Sequence, residues 1–112
     1  MAPTLTRRRA ATVSEQLAVL AEPHRLLILR HLRRGDQYAG RLARALGISP
    51  SLASHHLAAL VDSGLVTRRQ SGAFACFSAN REVLLQLHAE LGRLMGAVVP
   101  TEALVTAEQC QR

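Results

Sequence analysis

The residues best suited to recognition chemistry lie between Gln37 and Asp62, in the stretch QYAGRLARALGISPSLASHHLAALVD. Gly47-Ile48-Ser49 interrupts two helical patterns, as in a helix-turn-helix. In the second of them Ala53, Leu57 and Leu60 recur at helical spacing and turn inward, leaving Ser51, Ser54, His55 and Ala58 nearer the outside. Small, hydrogen-bonding side chains let a helix sink into the major groove of DNA and approach base edges. Base contacts come mainly from the N-terminal end of such a helix, which picks out Pro50, Ser51, Ser54 and His55. Arg41, on the preceding helix, is a candidate phosphate contact, and Arg68 and Arg69 fall on a basic hairpin where a wing would meet the backbone. A plain helical pair with a polar face would show the same periodicity; the basic hairpin beside it favours nucleic acid.

Other reactive side chains are scattered. Ser54 precedes His55-His56 on one helix, where neighbours point apart, and there is no phosphate loop or paired-carboxylate site, so an enzyme is not expected. His88 and Glu90 are two positions apart and do not share a helix face well. His24 and His31 share a face two turns apart, too far for one ion unaided. His56 is assigned to packing or the helix flank. Cys76 and Cys110 form neither a CxxC pair nor a disulfide framework; Cys76 is expected to be a half-buried strand residue.

The 112 residues suit one domain, and an apolar share of 48% suits a globular one. Aromatic residues make up 3%, so aliphatic side chains must build the core, as packed helices do well. The formal charge is +6, and every basic side chain is arginine. That excess favours an anionic partner, nucleic acid or an anionic membrane surface, and Arg makes bidentate contacts to phosphate and guanine. No apolar run approaches the roughly 20 residues of a membrane span, and no apolar stretch of signal-peptide type follows the basic N-terminus. A soluble, cytoplasmic protein is the expectation.

Seven elements must position these residues. Residues 1–11 read as a flexible basic arm in which Arg7, Arg8 and Arg9 are either solvated or touch phosphate. Thr12 to Glu15 match a capping box that opens a first helix carrying Leu17 and Leu20. A second helix runs from Pro23 to about Arg34, with Arg25 close to the apolar sector and therefore expected to find a carboxylate such as Glu22. The third spans about Ala39 to Leu46, and Ser49-Pro50 opens the fourth. LVTRRQ and FACFSA read as a hairpin turning at Ser71-Gly72. Asn80 caps a last helix, where Leu84, Leu87, Leu91, Leu94, Met95 and Val98 form a stripe that Pro100 ends. The domain then covers 12–99, followed by a flexible tail at 100–112.

The runs LAEPHRLLILRHLRRG, LARALGISPSLASHHLAALVDSGLVTRRQSG and FSAN closely resemble the ArsR/SmtB family of bacterial regulators, from about Val19 to Asn80. The resemblance implies a mainly α winged helix-turn-helix with a small β-hairpin wing, ordered α-α-α-α-β-β-α. It also implies a homodimer in which the first and last helices pack across a two-fold axis, engaging Leu17, Leu20, Leu84, Leu87, Leu91, Leu94, Met95 and Val98. Two recognition helices would then sit about 34 Å apart and read an inverted-repeat operator. The function implied is transcriptional regulation, repression more than activation. The alternative is a co-regulator acting through a protein partner that carries the sensor.

Many members of that family respond to metals, but the ligand patterns do not match here. Asp36 to Gly40 hold no cysteine where the arsenic-type site has a pair, and Leu57 to Gly64 hold none either. Asn80 and Glu82, then Arg93 and Gly96, stand where a zinc-type site needs Asp and His followed by His and His or Glu. Cys76 and Cys110 are not in the positions of a persulfide sensor. The metal ligands are therefore unassigned; nitrogen and oxygen donors would suit nickel or zinc better than a soft thiophile.

Overall fold

A computed structural model describes residues 5–96 of the chain. Val98 of the expected stripe and the expected tail with Cys110 lie outside the described residues. Eight elements follow in order: α1 (Arg7–Leu20), α2 (Pro23–Leu32), β1 (Gln37–Tyr38), α3 (Ala39–Leu46), α4 (Pro50–Asp62), β2 (Val66–Ser71), β3 (Phe74–Ala79) and α5 (Arg81–Leu94).

The first helix starts earlier than the capping box at Thr12 suggested. Thr6 is the cap, its hydroxyl accepting from the Arg9 backbone N–H at 3.1 Å. Thr12 lies inside the helix and donates to the Arg8 carbonyl instead. Arg7, Arg8 and Arg9 are thus helical rather than part of an arm. Arg9, in the same first turn, also reaches the far end of the helical domain: its Nε donates to Glu90 Oε1 on α5 at 3.1 Å.

The helix-turn-helix forms as its local chemistry dictates. Gly47 takes a left-handed φ of 68°, which closes α3 and returns the Ile48 N–H to the Ala43 carbonyl. Ser49 then caps α4 through the Leu52 N–H, and Pro50 fills a first-turn position that needs no donor. The sheet has three strands, not two, in the order β1-β3-β2. The extra strand pairs Gln37 with Phe77 and Tyr38 with Cys76. Two residues carry no periodicity, so sequence alone gave no sign of it. Cys76 is correspondingly buried, beyond the half-burial expected of it.

Ile28, Leu42, Leu57, Leu60, Leu65 and Val66 are fully buried, joining α2, α3, α4 and β2 around one core. Leu87 joins them, which corrects its assignment to a dimer face: its apolar surface is already used within one chain. Leu20, Leu84 and Leu91 pack half-buried against the same core. Leu17, Leu94 and Met95 remain exposed, Met95 to 74%. Among the described residues, no helix is long and apolar enough to cross a membrane.

Candidate nucleic-acid interface

The first turns of α4 form the outward surface. Pro50, Ser51, Ser54 and His55 are all exposed, while Ala53, His56, Leu57 and Leu60 on the same helix are buried. The 3.6-residue period produces this division, and α3 fixes the angle at which the polar face leaves the domain. Arg41 is exposed on α3.

The two wing arginines leave opposite faces of the hairpin. Arg68 lines a cleft with Ser54, Ala58 and Asp62 of α4 and with Ala75 and Phe77 of β3. Its guanidinium donates to Gln70 Oε1 at 3.3 Å. Arg69 is the next residue on the strand, and successive side chains leave opposite faces. It lies 3.1 Å from Asp36 Oδ2 and donates weakly to Cys76 Sγ at 3.8 Å, away from the cleft that holds Ser54. Near the turn, Phe74 is exposed and meets the Tyr38 ring edge-on at 5.9 Å.

Behind α4 sits a polar cluster that sequence reasoning did not assemble. Arg25 does not pair its guanidinium with Glu22, as expected; Nε donates to His56 Nδ1 at 3.1 Å and a terminal nitrogen to the Val19 carbonyl at 3.2 Å. Glu22 instead caps α2, accepting from the Arg25 backbone N–H at 3.1 Å. Its carboxylate oxygens lie 3.5 Å from His24 Nδ1 and 3.7 Å from His56 Nδ1. Burial lowers the His56 pKa below its ordinary value, against the pull of Glu22 and with help from Arg25. Burial raises that of Glu22, but the Arg25 N–H and the neighbouring histidines outweigh it and the net shift is downward. His24 and His56 stand 32 positions apart on different helices, so no spacing rule could have joined them.

Among the described residues, five helices, a tight turn before an exposed α4 and a hairpin folded back beside it define a winged helix-turn-helix domain. Residues 22–68 match the family described as bacterial regulatory protein, arsR family, and the chain belongs to that family. It is 39% identical to the HTH-type transcriptional regulator NmtR of Mycobacterium tuberculosis, over 66% of this chain and 62% of that protein. It is also 39% identical to the arsenical resistance operon repressor of Staphylococcus xylosus, over 64% of this chain and 69% of that one. The solution structure of the homodimeric winged helix-turn-helix DNA-binding domain of Mb0332 from Mycobacterium bovis superposes with a TM-score of 0.66 at 30% identity, covering 86% of this chain and 91% of the other. The first two curated relatives, NmtR and a rhizobial nodulation protein, are spanned over slightly less than two thirds of their own length.

Proposed function

We propose that this protein is a DNA-binding transcriptional regulator that acts as a homodimer on an inverted-repeat operator, more as a repressor than as an activator. The observation that carries the reading is the exposed row of Ser51, Ser54 and His55 on α4, with Arg68 across the adjoining cleft. Small side chains permit close approach to base edges, and a cation beside them supplies attraction to the phosphate backbone. The net charge of +6 acts in the same sense over longer range. Exposed Leu94 and Met95 on or just past α5, with Leu17 on α1, supply apolar area for a second copy. Relatives that carry the names arsenical and mercury resistance operon repressor support a response to metal. Here nickel or zinc fits the available nitrogen and oxygen donors better than a thiol-seeking ion.

The test is a titration of the purified chain onto fluorescent DNA from its own upstream region, with and without nickel or zinc. Tight, salt-sensitive binding that outcompetes random DNA is the expected result. Weak binding that is equal for any sequence would overturn it and favour a module dependent on a protein partner.

A further inference from the structure

Glu22, His24 and His56 place one ligand atom each within 4.8 Å of one another, where the α1–α2 corner meets the inner side of α4. We propose that these three side chains bind a divalent transition metal of the zinc, nickel and cobalt class; the proposal deepens the metal-response part of the reading above by locating its site.

Two imidazoles and a carboxylate are a borderline nitrogen-oxygen donor set, and three protein ligands leave a position open for water or a further ligand. A tetrahedral ion with bonds of about 2.0–2.1 Å spaces its ligand atoms roughly 3.4 Å apart. One Glu22 oxygen lies 3.5 Å from the His24 nitrogen and the other 3.7 Å from that of His56. A contraction from 4.8 Å at most would complete the set. The arrangement also has an inner wall and an entrance: the His56 side chain is 7% exposed, whereas those of Glu22 and His24 are 32% and 36% exposed.

Arg25 supports the assignment by the bond it makes to His56. A guanidinium can only donate, so the His56 Nδ1 that receives it carries a lone pair rather than a proton, and that lone pair is held by Arg25. Arg25 serves there as an internal cation, and an incoming metal takes its place at Nδ1 while the bond to the Val19 carbonyl holds the side chain nearby. The carboxylate is oriented in turn by the Arg25 backbone N–H. Contraction draws His56, and with it α4, towards the α1–α2 corner. The next residue is His55, on the outward face, its ring centroid 5.5 Å from that of His56. An ion bound here therefore acts on the helix that carries the candidate base contacts.

The experiment is a titration of Co(II), and of Zn(II) in competition, into the full-length protein freed of metal by chelator. Visible absorption reports coordination, circular dichroism reports folding, and operator binding is measured separately without metal. The expected result is one Co(II) per chain with the bands of a nitrogen-oxygen site. Glu22→Gln and His24→Gln, which avoid the buried histidine, should each lower affinity at least tenfold with helicity unchanged. Arg25→Gln should raise it by removing the competing cation. Wild-type affinity in both the Glu22 and His24 variants overturns the site while leaving metal response in place. No binding of cobalt, zinc or nickel by the wild type overturns both, and metal-free operator binding still judges the regulator reading independently.

Discussion

Arg9 and Glu90 meet across 3.1 Å, Nε donating to Oε1, although 81 positions separate them in the chain. Glu90 is buried, and its other oxygen lies 3.3 Å from Arg93 one turn further along α5. The pair therefore ties the first turn of α1 to α5 and neutralises a carboxylate that the fold has withdrawn from water.

The Arg9 hydrogen bond, opposed by burial and assisted by Arg93, holds the Glu90 carboxyl below its ordinary 4.5. A depressed folded value means the stabilisation is present above 4.5 and is lost as pH falls through that lower value. Glu90→Gln should melt below the wild type at about pH 7, with the gap closing as the pH is taken down past 4.5. Thermal melts across that range check it, and a constant gap would contradict it.

Replacing Ser54 and His55 together by Ala should abolish preference for the operator while leaving the dimer intact. A good base contact is worth on the order of 1–3 kcal/mol of discrimination. Competition between operator and random DNA measures the loss, and size-exclusion chromatography checks the assembly.

The two wing arginines should separate. Arg68→Ala is expected to weaken binding to all DNA and to lower the salt slope by about one. Arg69→Ala should leave that slope nearly unchanged and resemble Asp36→Asn, because those two side chains pair with each other. Equal salt effects from Arg68 and Arg69 would show that the wing reorients on DNA.

Leu87→Ala and Leu94→Glu should fail in different ways. Leu87 lies in the core, so its truncation should cost about 2–5 kcal/mol of folding stability. Leu94 is 56% exposed, so a charge there should leave the fold intact and shift the dimer towards monomer. Chemical denaturation and sedimentation, run on both variants, distinguish the two outcomes.

Ser49→Ala should remove the cap on α4 at a cost of about 1 kcal/mol, since the Leu52 N–H loses its acceptor. Amide exchange in the first turn of α4 should quicken more than exchange at Leu57. Uniform quickening would mean that the turn is held by packing rather than by the cap.

What could be read locally could be read in advance. Gly47, Ser49-Pro50, Ser71-Gly72 and Asn80 each act on neighbours within a few residues, so they marked the turn, the caps and the hairpin without any knowledge of the rest. Helical spacing likewise separated Ser51, Ser54 and His55 from Ala53, Leu57 and Leu60. The misreadings have one origin. Thr12 fits a cap within its own short window, whereas the helix begins at Thr6 with Arg9 held by distant Glu90, and β1 escapes a local reading because its hydrogen bonds come from β3.

The sequence by itself determined a basic, helix-rich domain with a polar helix face beside a hairpin, because composition, period and capping are properties of short segments. Tertiary structure alone decided that Leu87 belongs to the core while Leu94 stays outside, that Arg68 and Arg69 part company, and that Glu22, His24, Arg25 and His56 converge. Those outcomes depend on which surfaces meet once the helices pack. Contacts between distant segments are fixed by the whole arrangement of the chain, and no window of neighbouring residues contains them.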